Sequence, residues 1–553
     1  MSISMDHSNA HNKSSLPKKL RFLGVALIAG SLILSGCSSG SDNPSPGPDS
    51  PGTDAQIPLL RWGNGPFDGL DPATAASNFS STAAAPALES LIGFDADLKI
   101  KPILAESYSR PDATHYVYKI RSGVTFWDGS PLTAEDVAFS LDRHRDPELA
   151  SMRATMFTNV TSITVTGDDE VTVELESPDP QFEFVPSQVP ILSKAFVEAT
   201  GAKLGTPGGS TLTVMGTGPM KITNYDDTGV TYEAWDGYWG TKSRVDKLEL
   251  LTFQSPDASR LAYQSGDIDG TFYGLSGDTL SAWQGIANSK LIASEPINVG
   301  YLALNTTQEP FSDIHARRAL AYAADLEGFQ AAFTGEAGEV PTSIIPPVYF
   351  ANLGTQAEID AVYAQIPQYP FDLDKAKEEL AQSNYPNGFE VTVPYTPQFP
   401  ISGSVLVSMS ETLKEVGITF NPEPMPISNW GALHQGNDSP ILWGYWLPDW
   451  PDPSNIASLF FPSAGAVPGR NNKAHWQVPE VDQLLTKQME TTDAAVRLDA
   501  LGQLLEMVGD QVPYLPLWWE RAVMVVKDDK FVYSNFNAMF YVNNWVENIS
   551  SAT

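Results

Sequence analysis

The residue types best suited to chemistry gather in one run, Ile441-Leu442-Trp443-Gly444-Tyr445-Trp446-Leu447-Pro448-Asp449-Trp450-Pro451-Asp452-Pro453. Prolines keep it from being an ordinary helix interior, so it reads as a loop. Aromatic faces beside a carboxylate suit a ligand with an apolar body and a positive charge: the rings stack on the body while the carboxylate pairs with an amine. The competing use is structural, with the tryptophans packing a core and the aspartates closing a turn. A second candidate is Gly63-Asn64-Gly65-Pro66-Phe67-Asp68-Gly69, whose glycines let backbone groups approach a ligand closely. They serve a tight turn equally well.

Catalysis is the chemistry these residues support least. A glycosidase uses two carboxylates, but among 66 acidic residues chance pairs carry no weight. The chain has no His-Glu-x-x-His zinc motif and no Gly-Lys-Ser/Thr phosphate loop. His434, in Trp430-Gly431-Ala432-Leu433-His434-Gln435, is the one histidine near the aromatic run. A lone histidine is more often a core or surface residue than a metal ligand. Neither a metal nor a cofactor is expected.

These side chains need a large scaffold to hold them. At 553 residues the chain exceeds what one core supports, so at least two lobes are expected. A hydrophobic content of 42%, with 13 Trp, 19 Tyr and 25 Phe, excludes a disordered protein. The formal net charge of −33 argues against nucleic acid as a partner, because phosphates demand a positive surface. It favours the approach of cations, or serves solubility alone.

Lys13, Lys18, Lys19 and Arg21 precede the apolar run Phe22 to Leu34, which is shorter than the roughly 20 residues of a membrane span and reads as a signal peptide over residues 1–36. It ends in Leu34-Ser35-Gly36-Cys37, which resembles a bacterial lipobox. Cys37, the sole cysteine, is then the lipidated first residue of the mature chain, tied to the membrane outside the cytoplasm. Residues 37–56, rich in Gly, Ser and Pro, form a flexible tether.

Beyond the tether, strand and helix patterns interleave. Tyr116, Tyr118 and Ile120 alternate with polar neighbours as in a half-buried strand, which turns Lys119 and Arg121 toward water. Trp127-Asp128-Gly129 is turn chemistry, and Thr133-Ala134-Glu135-Asp136 reads as a capping box before a helix with Val137 and Leu141 on one face. Ile163 and Val165, then Val171, Val173 and Leu175 after a polar turn, predict a hairpin; Leu248 and Leu250 predict a further strand. Helices are expected over His315–Asp325, Asp374–Ser383 and Asp493–Val508, the last with Leu498, Leu501, Leu505 and Val508 on one face. Such interleaving predicts α/β layers.

Leu104-Ala105-Glu106-Ser107, Arg121-Ser122-Gly123-Val124, Phe126-Trp127-Asp128-Gly129 and Pro131-Leu132-Thr133-Ala134-Glu135-Asp136-Val137 resemble, in order and spacing, the signature region of family 5 of the extracellular solute-binding proteins of ABC importers. That family binds oligopeptides, dipeptides and nickel complexes. Leu70-Asp71-Pro72 upstream continues the likeness. So do Gly216-Thr217-Gly218-Pro219, Tyr238-Trp239-Gly240, Arg317-Arg318-Ala319-Leu320 and Asp449 to Pro453 downstream, so that it covers most of the chain from about Leu60 onward.

The resemblance implies an α/β fold of the periplasmic-binding-protein type, class II, with two lobes and an extra subdomain on the first. Lobe one is expected from residues 57–100, 213–299 and 520–553, the subdomain from 101–212, and lobe two from 300–519. Tyr301–Asn305 and Pro513–Leu517 are the expected hinge strands. Peptide-binding relatives capture the ligand's α-amino group with an aspartate of the aromatic loop. Aligned on Asp452-Pro453, that residue is Asp449, with Tyr445, Trp446 and Trp450 lining the pocket.

Relatives also touch ligand through the first turn, here Asn64, Gly65 and Phe67, whereas Met215-Gly216-Thr217-Gly218-Pro219 is a structural link. Dipeptide-binding relatives clamp the terminal carboxylate with an arginine placed just after the strand matching Phe389–Pro394. Here Tyr395-Thr396-Pro397-Gln398-Phe399 offers no basic residue. The implied ligand is therefore a longer peptide rather than a dipeptide, with a nickel chelate or oligosaccharide as the alternative. The implied partners are a permease and ATPase subunits, and the chain is expected to act as a monomer that closes its lobes on ligand.

Overall fold

The computed structural model describes residues 52–273 and 282–553. The leader and Cys37 lie outside the described residues. Nine strands form one sheet that runs through the molecule: β1 Leu60–Asn64, β2 Met220–Asp226, β3 Gly229–Ala234, β4 Lys247–Thr252, β5 Gly270–Tyr273, β6 Lys290–Leu304, β7 Gly338–Glu339, β8 Ile441–Trp446 and β9 Tyr514–Val526. Their spatial order is β8-β6-β9-β5-β1-β4-β3-β2, with β7 on β9. β1 is parallel to β4 and β5, and the other pairings are antiparallel.

Strand β1 forms where Leu60 and Trp62 alternate with Arg61, and both apolar side chains are fully buried. Trp62 covers Gly270, where a Cβ would fall 2.2 Å from the indole. Only glycine admits that approach. The expected buried pair Leu248 and Leu250 lies opposite Leu60 and Trp62 on β4.

The long strands β6 and β9 pair from Lys290 opposite Val526 to Ala303 opposite Tyr514. Their register shifts between Ala293 and Pro296, between Pro296 and Asn298, and between Gly300 and Tyr301. On one side of this pair lie β5, β1, β4, β3 and β2, and on the other β8. Around β8 a separate core gathers Leu302, Phe311, Leu406, Trp443 and Trp518. The result is the two-lobed α/β fold expected.

Residues 105–175 contribute a separate four-stranded antiparallel sheet, in the order Ala105–Ser109, His115–Ile120, Glu170–Leu175, Val160–Gly167. Tyr116, Tyr118 and Ile120 are buried and Lys119 is exposed, as the alternation demands. Arg121 departs from it: its Nε donates to the Ile103 carbonyl at 2.9 Å and its guanidinium lies over the Trp239 ring. The strand has ended at Ile120, so its period no longer governs.

The capping box forms as read. Thr133 Oγ1 accepts from the Asp136 amide, Asp136 Oδ2 accepts from the Thr133 amide, and the helix Ala134–Asp142 buries Val137 and Leu141. In the hairpin, Ile163 faces Val173 and Val165 faces Val171. Helices occupy Leu373–Gln382 and Ala494–Gln511, the latter burying Leu498, Leu501, Leu505 and Val508. The helix expected to reach Asp325 stops at Tyr322, because Asp325 caps the next helix by accepting from the Gly328 amide. Among the described residues no helix is long and apolar enough to cross a membrane.

Candidate functional site

The aromatic run divides into a strand and a loop. Residues 441–446 are β8, so neighbouring side chains point to opposite faces of the sheet. Tyr445 stands opposite Gly300, which in turn faces Trp518 of β9, while Trp446 stands opposite Val299 and hence Trp519. Tyr445 packs on the core of Trp443 and Trp518, with its ring 5.6 Å from that of Phe399. Trp446 turns to the other face, where it meets Phe460 edge-on and donates from Nε1 to Asn455 Oδ1 at 3.1 Å. The two rings expected to line one pocket therefore stand on two sides of a sheet. Trp450 is only 7% exposed and packs in the larger core, its indole N–H without a partner.

The two aspartates of the loop differ completely. Asp452 is fully buried: Arg497 Nη2 reaches both of its oxygens, at 2.8 and 3.0 Å, and the Ser454 amide donates to it. Asp449 is exposed, and among the described residues no lysine or arginine forms an ion pair with it. The protein packed about its carboxyl raises its pKa above the ordinary value. The charge of Arg153 and a hydrogen bond from Asn455 pull the other way. Its backbone carbonyl is held by Gln188 Nε2 at 2.7 Å.

Arg153 comes from the opposite side of this contact. It is 5% exposed, and its guanidinium donates to the Pro72 carbonyl and, weakly, to Ser81 Oγ. Burial lowers its pKa, and the nearby Asp449 and Tyr541 oppose that. A cavity of about 20 Å³, room for one water, lies beside it, lined also by Ser81, Gln188 and Tyr541.

The first turn sits nearby through Pro72. Asn64 is buried with its Nδ2 donating to the Phe79 carbonyl at 3.0 Å; a Cβ on Gly65 would strike the Phe79 ring; Phe67 stacks on Tyr225. No direct contact joins these three residues to Asp449 among the described residues. Gly216 and Gly218 press on the Ala87 carbonyl, and Thr217 donates to Glu89, as befits a structural link.

The family model for bacterial extracellular solute-binding proteins, family 5 (middle), matches residues 99–467. The chain belongs to this family. The glutathione-binding protein GsiB of Shigella boydii is 27% identical over 471 residues, 83% of this chain and 88% of that protein. The periplasmic binding protein DppA of Helicobacter pylori, solved with the peptide STSA, superposes with a TM-score of 0.69 at 22% identity, covering 90% of this chain and 99% of that one. The oligopeptide-binding protein AppA of Bacillus subtilis, solved with a nonapeptide, gives 0.66 at 20% identity, covering 90% and 100%.

The family 5 chain is thus a substrate-binding protein of the kind that serves ABC importers. His434 has a structural place in it: Nε2 donates to the Trp443 carbonyl at 2.8 Å, the ring lies against Trp430, and burial lowers its pKa to about 4. A cavity of about 410 Å³ lies apart from the aromatic run, among Leu326, Pro341, Tyr369, Phe371, Leu505 and Val512, and none of the expected site residues lines it. Sequence reasoning missed Arg153, Gln188 and Asn455, the three side chains that surround Asp449. Asn455 had a signal, standing just beyond Asp452-Pro453; Arg153 and Gln188 had none.

Proposed function

We propose that this chain is a lipid-anchored receptor that captures peptides between its lobes and delivers them to an importer's permease, with Asp449 as the anchor for the ligand's α-amino group. One observation carries the assignment: Asp449 is the carboxylate of the aromatic loop that has no direct cationic partner among the described residues, while its neighbour Asp452 is neutralised by Arg497. An amine entering there completes the pairing, and Arg153 keeps the acid ionised for it.

Trp446, fixed by Asn455, offers a ring beside the anchor. Tyr395–Phe399 supplies no basic clamp, which favours peptides longer than two residues. GsiB, DppA and AppA, whose names or bound ligands are glutathione, a tetrapeptide and a nonapeptide, support a peptide ligand. The hinge in this reading is the β6–β9 pair, lobe one and its subdomain lie to one side, residues 300–519 lie to the other, and Cys37 carries the lipid. Mass spectrometry of molecules released from the purified protein by mild denaturation tests the ligand class: peptides of several residues support the reading, and a sugar or a metal chelate overturns it.

A further inference from the structure

The cavity of about 410 Å³ beside Leu326 and Tyr369 has no part in the sites described so far. It lies at a seam between two hydrophobic cores: Val512 and Leu515 come from the core around β8, and Ile344, Ile366, Leu505 and Val508 from the larger one. All six are buried and form its floor. Glu327, Thr342, Pro370 and Phe371 line it too, and their exposure marks its mouth. The start of β9 runs along it. Tyr514, Leu515 and Pro516 pair with β6 on one edge, whereas β7 and β5 reach β9 only from Trp519 onward, so among the described residues no strand covers the other edge of this stretch.

Hydrogen bonds to backbone carbonyls fix the walls. Gln368 Nε2 donates to Thr342 and to Ile366, both at 3.0 Å, Tyr369 Oη donates to Asp510 at 3.2 Å, and Trp519 Nε1 donates to Ser343 at 2.9 Å. A preformed hollow of this volume with a mostly apolar lining is of the size that takes a small organic molecule. Its charge is one-sided. Asp325 and Glu327 line it, and no lysine, arginine or histidine does. Asp325 Oδ1 accepts from the Gly328 amide at 2.9 Å, and a carboxylate holding one such bond has acceptor capacity to spare. The rings of Tyr369 and Phe371 add aromatic faces that attract a cation.

We propose that this cavity is a second ligand site, separate from the peptide anchor, and takes a small amphipathic amine, with its apolar body against Ile344, Leu505 and Val512 and its ammonium on Asp325 and Glu327. Charge complementarity decides between occupants. A neutral molecule leaves both carboxylates to water and an anion is repelled by them, whereas an ammonium forms charge-assisted hydrogen bonds to either. None of the residues assigned to peptide binding lines the cavity, so this site stands independently of that reading.

Calorimetry of the purified protein with three probes of similar shape tests this: 1-naphthylmethylamine, a cation at neutral pH, 1-naphthylmethanol, which is neutral, and 1-naphthoate, an anion. The amine should bind at least about tenfold tighter than the alcohol, and the alcohol tighter than the anion. The double variant Asp325→Asn/Glu327→Gln keeps an oxygen to cap the Gly328 amide and should bring the amine-to-alcohol ratio close to one. Thr342→Trp sets an indole at the exposed mouth and should weaken the amine at least about tenfold. Asp449→Ala separates the two sites: a probe held at the peptide anchor is lost in that variant, and one held in the cavity is kept. No binding of the amine below about 1 mM, a ratio near one in the parent, a ratio that survives the double variant, or amine binding that Thr342→Trp spares or Asp449→Ala abolishes overturns the proposal. Each of these leaves the peptide reading intact.

Discussion

Asp449 and Asp452 occupy one loop and have opposite fates. Asp452 is enclosed with Arg497, Ser454 and Gln488 in a network that neutralises it inside the fold. Asp449 keeps its carboxyl exposed, steadied by Asn455 and by the charge of Arg153. The difference teaches that a motif rich in carboxylates is sorted by the partners the fold supplies. The residue whose charge is already answered shapes the loop, and the one whose charge is left over is the proposed anchor.

The comparison can be broken most forcefully at Arg497. Arg497→Met leaves Asp452 buried without its cation, and we expect a loss of about 3–5 kcal/mol in a urea titration. A variant as stable as the parent would end the claim that Asp452 is structural. Asp449→Ala is the mirror experiment: peptide affinity should fall by about 2–5 kcal/mol with the melting temperature little changed. N-acetylated peptides, which lack the amine, should bind parent and variant alike, and a parent that prefers them would refute the anchor.

Glu520, a buried acid on β9, extends the comparison to pH. Its folded pKa, about 7, lies above the ordinary 4.5, so the folded state holds a proton that the unfolded chain has released. The stability this contributes is fully present below about pH 4.5 and lost as pH rises through about 7. Relative to Glu520→Gln, the parent without ligand should lose up to about 3 kcal/mol between pH 4.5 and 8. A difference that stays flat across that range would contradict the burial that raises its pKa. The smallest effect is expected at Trp446→Phe, which removes the bond to Asn455 and should weaken peptide binding by about 0.5–1.5 kcal/mol.

Local rules made much of the fold legible. The Tyr116–Tyr118–Ile120 alternation, the Thr133–Asp136 capping box and the Leu498–Leu505 stripe each formed, because their causes lie within a few residues. The site was legible only as a neighbourhood. Reading 441–453 as one loop hid that Tyr445 and Trp446 are strand residues on opposite faces, although period two in Ile441–Trp446 carries that information. Arg153 and Gln188 were invisible because what brings them to Asp449 is the packing of distant segments, which leaves no trace in spacing.

The β6–β9 ladder has a mechanical consequence. A joint made of one continuous hydrogen-bonded pair behaves as a flexure rather than a pin. The regular steps from Lys290 to Ala293 and from Tyr301 to Ala303 are stiff, and the irregular steps between them hold the compliance. In the hinge proposed above, bending would be confined to this short band, and opening and closing would retrace a single arc set by the flanking steps.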